Sequence, residues 1–220
     1  MKAALAELIG TFTLTFIGAG AGALAGSTTG AGGIVAVALA HGIALMVIVY
    51  TWGKISGAHV NPAVTLGLLV GGRVPVGKAI SYWIAQFAGA GLAGLMVLVM
   101  VDHVGTDSIG ETVGVLTLIS TPKTILLEAV LTFFLVCAVY SSGVAGRNGN
   151  AAGLAIGLVL TMDILMGGYL TGASMNPARS FGPALAAGNL GSYYWLYVVG
   201  PAIGGIVAGL VYNLFFMDED

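Results

Sequence analysis

Two short stretches of the chain carry side chains suited to chemistry, and they are near copies of one another. Gly57-Ala58-His59-Val60-Asn61-Pro62-Ala63 and Gly172-Ala173-Ser174-Met175-Asn176-Pro177-Ala178 share the pattern Gly-Ala-x-x-Asn-Pro-Ala, with Asn61 and Asn176 separated by 115 residues. Asparagine is a preferred helix N-cap, and proline loses no hydrogen bond at the first helical position, so each triplet writes the start of a helix. A helix N-terminus carries about half a positive elementary charge. Tipped by an amide, it donates a hydrogen bond to a passing neutral oxygen and repels a cation. The residues ahead of each triplet, Gly57, Ala58, His59 and Val60 in one copy and Gly172 and Ser174 in the other, are expected to be non-helical, with carbonyls free to accept. The implied chemistry is the sorting of small molecules, without bond making.

The helices that must hold these amides are short. From Asn61 the apolar pattern runs to about residue 70 before Gly71-Gly72, and from Asn176 to about residue 187 before Gly188. At about 1.5 Å per residue each is roughly 15 Å long, half of a hydrocarbon core about 30 Å thick. Composition places them in such a core: 58% of residues are apolar and 7% charged, with a mean hydropathy of +1.01, against about 25% charged in a soluble domain. The chain's surroundings are therefore a lipid bilayer. Apolar runs at about 3–24, 34–51, 79–101, 122–142, 151–170 and 193–216 are each long enough to span it. The first of them follows Lys2 as a signal peptide would, but Glu7 interrupts it and no cleavage site stands out, so it is expected to be retained. The expected fold is an all-α membrane protein of six transmembrane helices plus two re-entrant half-helices.

Loop charge orients the spans. Lys2, Lys54, Arg73, Lys78 and Arg147 fall on the face that carries both termini, against Lys123 near the other, so both termini are expected in the cytoplasm. Three spans per half make the second half enter the membrane from the opposite face, the signature of an inverted repeat. Weaker echoes agree: Glu7-x-x-x-Thr11-Phe12 returns as Glu128-x-x-x-Thr132-Phe133, and Ala85-Gln86-x-x-Gly89 as Gly200-Pro201-x-x-Gly204. The expected organisation is a single transmembrane channel domain over residues 1–220, with one repeat at 1–101, an outer connecting loop at 102–121 and a second repeat at 122–220.

Both Asn-Pro-Ala boxes, Arg179 directly after the second, the paired glutamates and the repeat offset together resemble the aquaporin, or major intrinsic protein, family over essentially the whole chain. That resemblance implies a homotetramer with one pore per subunit, passing water while excluding protons and ions. It further implies an outer constriction formed by His41, Ile164, Ala173 and Arg179, and a scaffolding role for Glu7 and Glu128 as acceptors of backbone N–H groups from the re-entrant segments. His59 resembles a loop-packing residue. The quartet His41, Ile164, Ala173 and Arg179 is similar to that of the plant tonoplast group, whose members pass water and often ammonia or urea. Strict water channels carry an aromatic residue at the first place and histidine at the second. Ser180 and Ala184 depart from the glycerol-conducting branch, which has Asp and a basic residue there, although Val198 stands where water channels usually carry Trp.

Other classes are argued against by what the sequence holds. No nucleophile has a nearby base, and no phosphate loop or cluster of metal ligands is present, so neither an enzyme nor a cofactor or metal is expected. Cys137 is the single cysteine, which excludes an internal disulfide. A net charge of −2 gives no reason to expect a nucleic-acid partner. The expected partners are water, small neutral solutes and lipid. Two alternatives stand beside water: a channel mainly for ammonia or urea, and an inverted-repeat secondary transporter, which would need an ionisable group at its substrate site. Asp163, next to Ile164, is the loose candidate, either bonded to a neighbouring helix or loop or tuning the protonation of His41. His103 in the outer loop is a candidate pH sensor. A plasma or inner membrane is expected over an organelle.

Overall fold

The computed structural model describes residues 1–25, 31–102 and 108–217. Their helices, in chain order, are α1 (Lys2–Ala25), α2 (Ala31–Ser56), α3 (Pro62–Val70), α4 (Val76–Val101), α5 (Val115–Ile119), α6 (Thr121–Val139), α7 (Ala152–Thr171), α8 (Pro177–Ala186) and α9 (Leu196–Phe215). A π-helical turn, Tyr140–Val144, ends α6, and a single 3₁₀ turn, Gly149–Ala151, leads into α7. Six helices are long and apolar enough to cross a membrane, whereas α3 and α8 have half the length.

Side-chain placement inverts the pattern of a water-soluble bundle. On α1, Leu5, Ile9, Ile17 and Leu24 face outward while Glu7, Thr11 and Thr15 are fully buried. Lipid tails solvate large apolar side chains at no cost, so the hydrogen-bonding and small residues gather between helices instead. Close approach is the reason for glycine at Gly67 and Gly182. A Cβ on Gly67 of α3 would stand 2.6 Å from the Gly205 carbonyl oxygen of α9, and one on Gly182 of α8 would meet the Ala90 carbonyl of α4 in the same way.

Those two contacts occupy corresponding places, and the helix pairings repeat the correspondence. α1 packs on α2 and α4 as α6 packs on α7 and α9; α4 packs on α8 as α9 packs on α3; and α2 and α7 pack on one another. Each half-helix is thus enclosed by the other half of the chain, which brings their N-termini together.

Element ends depart from the expected ones where local chemistry differs. The second span runs on through Trp52-Gly53-Lys54 to Ser56, because the first left-handed residue, Gly57, is what stops it. The third begins at Val76, just after Pro75, earlier than residue 79. The sixth begins at Leu196, after turns that hold Tyr193 and Tyr194. The connecting segment expected as loop contains α5, whose Thr117 hydroxyl meets Tyr197 Oη at 2.8 Å. His103, the candidate pH sensor, and the acidic tail at 218–220 lie outside the described residues.

Candidate functional site

Asn61 and Asn176 cap α3 and α8 as their sequence neighbours dictate. Both have extended backbones (φ −157° and −146°), each followed by proline at the first helical position. Asn61 Oδ1 accepts from the Ala63 N–H at 2.8 Å, and Asn176 Oδ1 accepts from the N–H groups of Ala178 at 3.0 Å and Arg179 at 3.1 Å. The amide nitrogens reach across to the other half of the chain. Asn61 Nδ2 donates to the Met175 carbonyl at 2.8 Å and Asn176 Nδ2 to the Val60 carbonyl at 2.9 Å. An amide NH₂ has two hydrogens. With one spent on each crossing bond, one per asparagine remains, and both asparagines line a cavity of about 570 Å³.

The backbone ahead of each cap is bent in a way few residues accept. Gly57 and Gly172 have φ of +97° and +89°, and Ala58, Val60, Ala173 and Met175 follow at +50°, +42°, +44° and +52°. Left-handed backbone costs about 1–3 kcal/mol for each residue with a Cβ, and it is rarest for a branched one such as Val60. Two buried glutamates hold it. Glu7 Oε1 accepts from the Ser56 hydroxyl at 2.6 Å and the His59 N–H at 2.9 Å, and its Oε2 accepts from the Val60 N–H at 2.6 Å and Gln86 Nε2 at 2.8 Å. Glu128 Oε1 accepts from the Thr171 hydroxyl at 2.7 Å and the Ser174 N–H at 3.0 Å, and Oε2 from the Met175 N–H at 2.8 Å. His59 and Ser174 turn their N–H groups to the carboxylates, Ala58 donates to Ser56 Oγ, and Gly57 and Gly172 donate back to their own helices; the carbonyls of all five accept no hydrogen bond from the described residues. Val60 is the exception, its carbonyl serving Asn176. The His59 side chain packs in the loop, Nδ1 3.0 Å from Thr65 Oγ1 and its ring edge-on to Tyr82.

Arg179 is the third residue of α8, in its first turn, and is 5% exposed. Its Nε donates to His41 Nε2 at 3.1 Å, and its Nη1 donates to the Gly110 carbonyl at 3.0 Å and to Thr112 Oγ1 at 2.6 Å. The remaining nitrogen, Nη2, has no partner among the described residues and opens to the cavity, which Arg179 lines. His41 Nδ1 lies 2.9 Å from the Val37 carbonyl. A carbonyl only accepts, so Nδ1 bears the proton and Nε2 is the lone pair that receives Arg179. His41 and Arg179 therefore stand across the cavity from one another and touch.

The cavity itself runs from Tyr50, Lys54 and Asn150 at the face bearing the termini, past the asparagines, to His41 and Arg179. Ile164 and Ala173 are buried, 2% and 3% exposed, and neither lines this cavity. Gly172 likewise lies off its wall, while Ser174 is on it. Among the described residues, no carboxylate lines it. Asp163 is buried with Oδ2 unpartnered among the described residues. No hydrogen bond among the described residues joins Asp163 to His41, whose ring nitrogens meet Val37 and Arg179.

Sequence reasoning missed Gly110 and Thr112, since nothing in a polar loop marks it as folding back onto an arginine. It also missed Ser56, Thr171, Tyr82 and Tyr197. These could have been found: Ser56 and Thr171, like Tyr82 and Tyr197, are separated by the same 115 residues as the asparagines. Tyr82 Oη donates to the Ser56 carbonyl and Tyr197 Oη to the Thr171 carbonyl.

Comparison with known proteins follows the same residues. The family described as Major intrinsic protein matches residues 1–212. The chain is 43% identical to aquaporin TIP1-1 of Zea mays, and 45% identical to aquaporin TIP4-4 of the same plant, covering 100% of this chain and 88% of each relative. Aquaporin TIP2-1 of Arabidopsis thaliana is 43% identical over 99% of this chain and 88% of its own. The X-ray structure of the aquaglyceroporin from Plasmodium falciparum superposes with a TM-score of 0.84 at 27% identity, covering 97% of this chain and 96% of that one.

Proposed function

Because the chain belongs to the major intrinsic protein family, and is a multi-pass membrane protein and a passive channel for water rather than an enzyme, we propose that conduction passes between Asn61 and Asn176 and is sorted at His41 and Arg179. The observation that carries this reading is the reciprocal crossing of the two asparagine amides at the wall of a cavity. Each contributes one spare N–H, and each stands on a helix N-terminus bearing partial positive charge. A water that accepts both spare hydrogens turns its own hydrogens outward, which breaks a proton wire at mid-membrane. Gly57, Ala58, His59 and Ser174 carbonyls then relay the water by accepting from it, Val60 and Gly172 belonging to the same two ladders. Arg179, held on neutral partners, adds a full positive charge at the narrowest point, and cations are turned back there.

Narrowing is reversible in this reading. Water passes when the Arg179–His41 bond exchanges for bonds to water, a swap of one hydrogen bond for another that costs little net free energy. Ile164 and Ala173 complete the constriction as small or apolar wall, with no aromatic plug. That wall, together with the likeness to TIP aquaporins, supports ammonia as an accompanying solute. A cavity with no carboxylate among the described lining residues gives a coupling ion no site there, which favours a channel over a transporter. The subunits form a homotetramer with cytoplasmic termini in this proposal. Relatives named TIP, the tonoplast group by resemblance, favour an internal membrane over the plasma or inner membrane.

Stopped-flow light scattering on proteoliposomes tests the reading. Osmotic shrinkage in sucrose should accelerate with protein content, scale linearly with the gradient and leave the internal pH unchanged. Saturable, ion-dependent flux or a protein-dependent proton leak would overturn it.

A further inference from the structure

Behind α8, away from the water path, a second cavity of about 200 Å³ opens on the face opposite the termini. Its floor is made by Thr112, Ser180 and Tyr197, all buried, and its mouth by Glu111, Tyr193 and Tyr194. Three features fix what it takes. Among the described residues Glu111 is the single formal charge in the lining, which holds none of their lysines, arginines or histidines. Tyr193, Tyr194 and Tyr197, from one short turn and the start of α9, are among its lining residues, and tyrosine is the kind of aromatic side chain that attracts cations. Glu111 has one oxygen in use, Oε1, which accepts from Asn189 Nδ2 at 2.8 Å. Its Oε2 bonds to none of the described residues.

The floor is also the back of the arginine's support. Thr112 Oγ1 accepts from both Arg179 Nη1 and the Ser180 hydroxyl, the latter at 2.8 Å. Ser180 in turn meets the Ser174 hydroxyl of the segment ahead of the second asparagine. An occupant resting on Thr112 and Ser180 therefore touches two of the groups that set where Arg179 stands.

We propose that this cavity is a binding site for a small organic ammonium ion, and that its occupation lowers water flux by acting on the Thr112–Arg179 contact. The ammonium sits against Glu111 and the tyrosine rings, and the polar floor takes a hydroxyl of the ligand. Occupation is governed by charge and aromatic surface, so a neutral molecule of the same shape binds poorly.

The test uses purified full-length protein, with choline as probe and 3,3-dimethyl-1-butanol as its uncharged counterpart. Isothermal titration measures binding without reference to conduction, so failure here is separable from failure of the water-channel reading. Saturable choline binding, about tenfold weaker in Glu111→Gln, which loses one charged contact, and absent for the alcohol, is the expected result. In proteoliposomes, choline on both sides at the wild-type dissociation constant should lower osmotic permeability in the wild-type protein and lower it several-fold less in Glu111→Gln, which keeps the same basal rate. No choline binding, or equal binding of the alcohol, overturns the site. Binding that leaves water permeability unchanged overturns its coupling to Arg179.

Discussion

Removing the Glu128 carboxylate should collapse the second half of the pore from behind. Three donors converge on it, the Thr171 hydroxyl and the N–H groups of Ser174 and Met175. In Glu128→Ala the two N–H groups are left buried without an acceptor, at about 1–3 kcal/mol each. Ala173 and Met175 hold about 1–3 kcal/mol each of left-handed strain in either protein, which the carboxylate's hydrogen bonds no longer oppose. Losing the two acceptors shifts the balance between the bent and a relaxed form of residues 172–175 by about 2–6 kcal/mol, a population change of roughly thirtyfold or more at 1.4 kcal/mol per decade. Asn176 and its crossing bond to Val60 leave with it. Glu128→Gln is milder, since its amide oxygen can replace Oε1 for Thr171 and Ser174, and its NH₂ then faces the Met175 N–H. One lost bond costs about 1–3 kcal/mol, and the carboxamide fits the same space. The assay is osmotic permeability per reconstituted protein, with thermal unfolding in detergent beside it. Permeability should fall in the order wild type, Glu128→Gln, Glu128→Ala, and unfolding temperature should fall in the same order. A Glu128→Ala protein with wild-type values of both would refute the scaffolding argument outright.

Three other perturbations probe the constriction. Arg179→Val removes the cation and its bond to His41, so urea and glycerol permeability should rise by about an order of magnitude or more; unchanged solute flux counts against Arg179 as the narrow point. Gly18→Ala places a Cβ against the His41 ring, 2.6 Å from Cε1, where ordinary contact is about 3.5–4.0 Å. The ring must shift by about 1 Å, and water permeability should fall. The double change Gly18→Ala with His41→Ala should recover flux, since the colliding ring is gone, and additive losses would contradict the contact. Mercuric chloride should leave the wild-type channel open, because Ala173 offers no thiol and Cys137 lies half-buried on α6. Ala173→Cys should make the channel mercury-sensitive, and continued insensitivity would remove residue 173 from the constriction.

The parts of this molecule that were legible in the sequence are those written by strong local rules. Asn-Pro-Ala twice fixes two caps, apolar length fixes six spans, and a glutamate buried in an oily run must find donors. The half-helices end within a residue or so of where Gly71 and Gly188 predict. What the sequence did not disclose depends on long-range geometry. The grip of Gly110 and Thr112 on Arg179 links positions 69 and 67 residues apart, through a loop whose composition reads as solvent-exposed. The His41–Arg179 contact depends on the absence of a side chain at Gly18, a vacancy that matters only once α1 is packed. Asp163 was singled out by composition and remains without a physical account, as its Oδ2 meets no partner among the described residues.

The two halves repeat one scaffold down to single hydrogen bonds, and the channel's polarity comes from where the repeat is broken. His59 to Thr65 in one half stands where Ser174 to Ser180 stands in the other, and the glutamate cradles match donor for donor apart from Gln86, whose counterpart is Pro201. At the position of Arg179, however, the first half has Val64, which lines the cavity without narrowing it by charge. A perfectly repeated chain would put an arginine at both mouths or at neither. Two would raise the electrostatic barrier and add the cost of a second buried cation, with no gain in exclusion beyond what one charge and two facing helix dipoles already supply. One cation at one mouth, and an open cavity at the other, is what lets a symmetric frame hold an asymmetric filter, and residue 64 is where that choice is written.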